Sequence, residues 1–180
     1  MRRYRRRWKV ERLFAWLNGI YGSPAVWQAL FAQTFAEWSA ITGIHYVHEP
    51  NDDGVTIGTS AGAVGVRGDV RISAVFLDGP SNVLAYDYFP NDGDMVIDSG
   101  DTFFNTTSTN SLRLRNVVAH EHGHGIGLSH VCPTNNTKLM EPFVSTSYDG
   151  PQHDDRRGGQ RNYGDAFENN DNAASATNLG

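Results

Sequence analysis

Residues 120–130 constrain this chain more than any other segment, because they read HEHGHGIGLSH. On an α-helix, residues four positions apart lie one turn apart on the same face. His120 and His124 therefore present their imidazoles in one direction if the segment is helical. Gly127 can adopt the positive φ that ends a helix, and the turn it makes would return His130 toward the other two. The spacing predicts three imidazoles converging on one metal ion.

Three protein nitrogens suit a catalytic zinc site, since a zinc ion with three protein ligands keeps one position open for water. Glu121 follows the first ligand and can lean toward that water without binding the metal. A bare HExxH occurs by chance in unrelated proteins, but the glycine and the third histidine in register reduce that risk. His122 lies two residues from either ligand, so we expect it to point away from the metal, into solvent or behind the ligands.

The motif has the long metzincin form HExxHxxGxxH, and its surroundings resemble the matrixin family of zinc metallopeptidases. Residues 138–142 (KLMEP) are similar to the family's methionine turn, residues 78–85 (DGPSNVLA) to its DGPxxxLA segment, and residues 152–164 (QHDDRRGGQRNYG) to its closing helix. The resemblance covers about residues 24 to 164. It implies an α+β, zincin-like metzincin domain: a twisted mixed sheet of about five strands, three main helices and a cleft over the zinc helix.

Calcium sites are implied by the same resemblance, because matrixins hold Ca²⁺ in addition to zinc and Ca²⁺ takes six to eight oxygen ligands. The first set combines three carboxylates with three backbone carbonyls: Asp78, Asp98, Asp101, Gly79, Ser81 and Val83. A second, weaker set combines Asp69 and Asp94 with the carbonyls of Pro90 and Asp92. The alternative is that these acids only cap turns. The family's structural zinc is not expected, because Tyr86 and Val96 stand where relatives carry histidines.

Substrate contacts are likewise implied by resemblance alone. Strand residues Val83, Leu84 and Ala85 would pair through their backbone with an extended peptide. One wall of the primed-side pocket would consist of Pro142, Phe143 and Val144. Met140 would form a floor beneath the zinc without binding it, and Asp154 or Asp155 would brace the turn that carries Met140.

Length and charge favour one soluble domain, since 180 residues can bury a single core. The formal net charge is −5, yet residues 1–9 (MRRYRRRWK) carry six positive charges, which leaves −11 for the rest. Such an arm could bind nucleic acid, but the acidic body opposes a polyanion, so a solvated terminus is the favoured interpretation. The single Cys132 excludes an intrachain disulfide, and we expect a modestly buried free thiol.

Three segments organise the chain: an atypical basic segment at 1–22, the catalytic domain at 23–164 and a polar linker at 165–180. Residues 10–17 favour a short helix, which leaves the family's first strand unassigned. Ser23 and Pro24 predict the start of a helix that buries Trp27, Phe31, Phe35 and Trp38. Strands are predicted at 44–48, 55–58, 69–74, 83–88 and 95–98, and the zinc helix from about Asn110 to Gly125.

The leading functional hypothesis is a monomeric zinc endopeptidase, in which Glu121 is the general base and protein or peptide chains are the substrates. The alternative is a metal-bearing but inactive domain used for binding or adhesion. A nucleic-acid-binding role predicts salt-dependent polyanion binding and is the weakest of the three. No apolar segment is long enough for a membrane span, and none has the character of a signal peptide. Secretion is therefore implied by the resemblance alone.

Overall fold

The computed structural model describes residues 4–10, 14–165, 167 and 174. Its centre is a five-stranded sheet in the order β2-β1-β3-β5-β4. The strands are β1 Tyr4–Val10, β2 Ile44–His48, β3 Val70–Val75, β4 Ala85–Asp87 and β5 Met95–Asp98. The helices are α1 Phe14–Tyr21, α2 Pro24–Ile41, α3 Ser108–Gly125 and α4 His153–Tyr163, with a 3₁₀ turn at Thr102–Asn105.

Four strands run parallel, and the short β4 pairs antiparallel with β5, with Ala85 opposite Ile97 and Asp87 opposite Met95. The mixed sheet confirms the predicted α+β class, and α2, α3 and α4 supply the three expected helices with α1 in addition. Because β4 is the last strand in the order, its outer side pairs with no other described strand. Among the described residues, no helix is long and apolar enough to cross a membrane.

The basic arm forms the middle of the sheet, so the prediction of a solvated terminus is wrong for its described part. β1 lies between β2 and β3, and Trp8 is buried against Phe35 of α2 with ring centroids 5.3 Å apart. Arg6 donates to the carbonyl of Gly125 at 3.0 Å, and Arg7 pairs with Asp69. Local composition cannot reveal this arrangement, because the partners of these arginines come from distant segments. A strand therefore precedes the first helix, and the helix predicted from residue 10 begins at Phe14 in the described residues.

Helix α2 holds zinc helix α3 against the sheet with an aromatic face. Ser23 precedes the helix, Pro24 occupies its first turn, and the predicted residues Trp27, Phe31, Phe35 and Trp38 are buried. Trp38 donates its indole N–H to the carbonyl of Ala119 at 3.1 Å, inside α3. That bond links α2 directly to the backbone of α3.

Two other predictions fail for physical reasons that the structure shows. Residues 55–58 form no strand, because the carbonyls of Val55 and Thr56 accept hydrogen bonds from the buried guanidinium of Arg71. Cys132 is exposed rather than buried, since it lies in an irregular loop that leaves the third histidine. The linker predicted at 165–180 falls almost entirely outside the described residues.

Candidate metal centre

Helix α3 presents two of the three predicted ligands from one face. Its residues 109–111 have positive φ, so the continuous right-handed part begins after Ser111, close to the predicted start. Leu114 and Val118 are buried against the core behind the helix, which directs His120 and His124 outward, one turn apart. Both imidazoles are half-buried.

The third imidazole returns through the predicted turn. Gly127 has φ +89°, its N–H donates to the carbonyl of His124 at 2.8 Å, and the N–H of Leu128 donates to the carbonyl of Gly123 at 2.9 Å. These bonds end the helix and reverse the chain. The Nε2 atom of His130 then lies 3.2 Å from the Nε2 atoms of His120 and His124.

The donor set fits a zinc ion. Tetrahedral zinc with Zn–N bonds of about 2.0–2.1 Å separates its ligand nitrogens by roughly 3.3 Å, which matches these spacings. The Nδ1 atoms of His120 and His124 lie 2.6 Å from the carbonyl of Leu139 and 2.7 Å from that of Leu128. Those contacts suit the tautomer in which Nδ1 carries the proton and Nε2 is free for a metal. Among the described residues, these three imidazoles are the one cluster of at least three metal-ligating groups.

Glu121 and the cleft complete the site. A cleft of about 830 Å³ runs between α3 and β4, lined by Glu121, the three histidines, Leu84, Ala85, Val117, Pro142, Phe143 and Val144. Burial raises the pKa of Glu121 to about 8. A nearby metal cation would oppose this shift, because it favours the ionised carboxylate. The buried carboxyl of Glu121 thus lies in the same cleft as the three imidazoles.

The predicted methionine turn, residues 138–142, packs against α3 at His120 and Gly123. Met140 is buried, and a Cβ built on Gly123 would overlap its sulfur. Asp155 braces the turn: its carboxylate accepts from the backbone N–H groups of Leu139 at 2.7 Å and Met140 at 3.0 Å. The carbonyl of Leu139 contacts the imidazole of His120, so Asp155 supports a candidate ligand through one intervening residue.

The role of Gly123 was not predicted from the sequence, because it occupies one of the two unspecified positions of the HExxH motif. We expect Gly123→Ala to lower the free energy of unfolding by about 1–3 kcal/mol, since the added methyl must displace the buried Met140. Gly19→Ala in α1 is the matched control: no atom lies within 4 Å of its added Cβ, and helix propensity favours alanine there. Urea unfolding of both variants measures the difference. A Gly123→Ala chain as stable as Gly19→Ala would show that Met140 does not need this space.

Glu141 is a second residue that sequence reasoning missed. Its buried carboxylate accepts from the backbone N–H groups of residues 135–138 and from the ammonium of Lys138. Burial raises the pKa of Glu141, but these hydrogen bonds outweigh that effect and hold it at about 2. The loop between the third histidine and the methionine turn is thus organised around one side chain.

His122 points away from the candidate ligands, as predicted, but it is buried rather than solvated. It is fully buried on the opposite side of α3, with ring contacts to Phe35, Trp38 and Tyr46. The hydroxyl of Tyr46 lies 2.7 Å from its Nε2. His122 therefore belongs to the packing between α3, α2 and the sheet.

Asp87 places an unpartnered carboxyl in the cleft. The residue as a whole is half-buried, yet both carboxylate oxygens are covered and accept no hydrogen bond from the described residues. A Cβ added to Gly125 would lie 2.9 Å from one of them. Burial raises the pKa of Asp87 well above its usual value, and the nearby charge of Glu121 adds to the effect.

We expect Asp87→Ala to raise the free energy of unfolding at pH 7 by about 1–3 kcal/mol, because it removes an unsatisfied buried group. The folded-state pKa is raised, so the wild-type penalty is present at high pH and disappears as pH falls toward the unfolded value of 3.8. The gain from Asp87→Ala should therefore shrink between pH 7 and pH 4. Denaturant unfolding of the zinc-free chains at both pH values measures it, and a gain independent of pH would contradict the assignment to charge burial.

The first predicted calcium set surrounds the loop at residues 77–83. The carboxylate of Asp98 accepts from the backbone N–H groups of Leu77, Asp78, Gly79 and Gly100, and that of Asp101 accepts from Ser81 and Phe103. Burial raises the pKa of Asp98, but these bonds outweigh it and lower the pKa. Asp78 accepts weakly from Val83 at 3.4 Å. No ion pair involves the three acids within the described residues.

The two acids of the second predicted calcium set pair with arginines in the described structure. Asp69 pairs with Arg7, and the buried Asp94 pairs with Arg71. Pro90 and Asp92 lie in the turn between β4 and β5, where the N–H of Asp92 donates to the carbonyl of Phe89. Both carboxylates of this set are thus engaged by arginines.

Comparison with known proteins agrees with the motifs. The peptidase M10 family, described as matrixin, matches residues 22–164. Stromelysin-3 of Rattus norvegicus is 40% identical over 91 residues, which are 48% of this chain and 18% of that protein. The hatching enzyme of Paracentrotus lividus is 31% identical over 111 residues, 62% of this chain and 18% of that protein. Neutrophil collagenase of Homo sapiens is 40% identical over 94 residues, which are 48% of this chain and 19% of that protein. The chain thus matches only about a fifth of the length of these relatives.

Proposed function

Because the chain belongs to the matrixin family, we propose that it is a zinc endopeptidase that hydrolyses peptide bonds in extended protein substrates. One observation carries this proposal: the Nε2 atom of His130 lies 3.2 Å from those of His120 and His124, with the buried Glu121 beside them in an open cleft. Three donors leave a coordination position free, which a purely structural zinc site does not.

A zinc ion bound by His120, His124 and His130 would supply Lewis acidity to polarise the scissile carbonyl and activate a water. Glu121 accepts the proton of the attacking water and delivers it to the leaving amine. The carbonyls of Leu139 and Leu128 keep the imidazoles oriented throughout. Met140 and Asp155 hold the floor under them.

An extended substrate pairs with the free outer side of β4, so that the scissile bond lies across α3. Leu84 and Ala85 line the cleft on that side. Pro142, Phe143 and Val144 form the opposite wall, where the exposed ring of Phe143 offers an apolar contact to a primed-side side chain. Protein chains with an apolar residue after the cleaved bond are the expected substrates.

Casein hydrolysis tests the proposal. We expect purified chain to cleave casein, a zinc chelator to abolish cleavage, and added Zn²⁺ to restore it. A chain that binds zinc without cleaving casein or gelatin would instead support an inactive binding domain. The Zn²⁺ content, measured by elemental analysis on the same samples, separates that outcome from a simple loss of metal.

We further propose, from family membership, that the protein acts outside the cell and that Asp78, Asp98 and Asp101 bind one calcium ion there. The three acids have no cationic partner among the described residues, so a cation would relieve their mutual repulsion. The carbonyls of Gly79, Ser81 and Val83 belong to the loop that these acids enclose and would supply further oxygens.

A further inference from the structure

Two arginine–aspartate pairs occupy the place where family resemblance implies a second calcium ion. The first pair joins β1 to the residue before β3. Arg7 donates from Nε and Nη2 to the carboxylate of Asp69 at 2.9 Å and 2.5 Å, and its backbone N–H donates to the same carboxylate at 2.8 Å. Both carboxylate oxygens of Asp69 are therefore engaged by one arginine.

The second pair is almost completely buried. The side chain of Arg71 is 0% exposed and that of Asp94 is 1% exposed. Arg71 donates to Asp94 from Nη2 at 2.5 Å, from Nε at 3.3 Å and from its backbone N–H at 3.0 Å. The backbone N–H of Gly58 donates at 3.0 Å to Oδ2 of Asp94, the oxygen that also accepts from Nη2 of Arg71.

The chemistry of this donor set does not fit Ca²⁺. Calcium needs six to eight oxygen ligands. Here the carboxylate oxygens of both acids already accept hydrogen bonds from guanidinium and backbone N–H groups. Arg7 and Arg71 already face these two carboxylates. Asp92 is a further acid close to Asp94, but a dication here would still lie beside the buried guanidinium of Arg71. The set around Asp78, Asp98 and Asp101 differs in kind, because only backbone N–H groups of the described residues donate to its carboxylates.

The pairs also hold a long segment that has little secondary structure of its own. Residues 49–69 form no strand or helix apart from one bridge between Ala63 and Arg67. Arg71 ties down the start of this segment by donating to the carbonyls of Val55 at 2.6 Å and Thr56 at 3.2 Å. Arg7 fixes its end through Asp69.

We propose that Arg7 and Arg71 take the place of a second calcium ion, so that residues 49–69 stay ordered without any cation. On this proposal, Arg7 of the basic β1 strand stabilises residues 49–69, a role separate from the candidate metal centre. The inference concerns cation content and loop order, and it stands or falls independently of peptide hydrolysis.

A cation count tests the proposal first. The full chain carrying Glu121→Gln, which excludes self-cleavage, is stripped of metal, reloaded with zinc and dialysed against millimolar Ca²⁺. We expect no more than one calcium per chain, bound by the set at Asp78, Asp98 and Asp101. Two calcium ions per chain, or one that survives Asp98→Asn, would overturn the proposal.

Limited proteolysis tests it at the loop. Pancreatic elastase cuts after small apolar residues, which residues 49–69 contain. In the same zinc-loaded Glu121→Gln background, removal of calcium should change the cutting rate there by less than about twofold, whereas Arg71→Met should raise it at least about tenfold. Arg7→Met, at a partly exposed pair, gives the same readout if Arg71→Met does not fold.

Arg5→Met is the matched control, since this exposed neighbour has no ion pair in the described structure. Calcium-dependent protection of the unsubstituted loop, or unchanged cutting in both Arg7→Met and Arg71→Met, would contradict the proposal.

Discussion

Glu121→Gln should lower kcat/KM by about 10²–10⁴-fold while leaving the zinc content unchanged, because it removes the proton acceptor and keeps the ligand set. The substituted amide has nearly the same shape as the carboxyl, so the packing of α3 is preserved. The measurement is hydrolysis of a quenched fluorescent peptide, with zinc determined on the same samples by elemental analysis.

A control variant separates loss of the base from loss of charge near the site. Asp154→Asn removes an exposed carboxylate from the first turn of α4, outside the cleft, and should retain activity within about twofold. Full activity in the Glu121→Gln chain would sink the assigned role. Loss of zinc in that chain would instead mean that Glu121 serves the metal site itself.

Asp155→Ala should lower the free energy of unfolding by about 3–5 kcal/mol, which is large for one surface-helix residue. The carboxylate is buried and accepts from the backbone N–H groups of Leu139, Met140 and Gln152, so alanine leaves three donors unsatisfied. Because the carbonyl of Leu139 orients His120, zinc affinity should also fall, by about 10- to 100-fold.

Urea unfolding and zinc competition with a chromophoric chelator measure the two effects of Asp155→Ala. Asp154→Asn, one position earlier in the same helix turn, should change stability by less than about 0.5 kcal/mol. Equal effects at the two positions would mean that helix-end charge, rather than the bonds to the methionine turn, explains the loss.

Elements with strong local signals were predictable from the sequence. Strands β2 and β5 fall at the predicted residues, and α2 begins at Pro24 as its proline and aromatic spacing indicate. The histidine motif also predicted that three imidazoles gather, since helix geometry and one glycine turn determine their positions. In each case the determining contacts lie within a few residues.

The failures have the opposite character. Strand β1 was missed because the partners of its arginines lie dozens of residues away. Arg7 pairs with the carboxylate of Asp69, and Arg6 donates to the carbonyl of Gly125. The pairing of Asp94 with Arg71 was missed for the same reason, since a sequence shows the acid but not the arginine packed onto it. The close packing of Met140 on Gly123 and the burial of the Asp87 carboxylate were also missed. Both depend on contacts between α3 and segments that are distant in the sequence. Tertiary packing alone determines such contacts.

The central position of β1 has a consequence for how the chain assembles. Trp8 lies beside His48 in β2 and beside Val70 in β3, so the earliest described strand gains its second neighbour only after some sixty further residues exist. At ribosomal rates of about 5–20 residues per second, that interval lasts roughly 3 to 12 seconds. A strongly cationic, tryptophan-bearing strand therefore keeps at least one edge unpaired during this interval of synthesis, and slow non-local pairing should limit the folding rate.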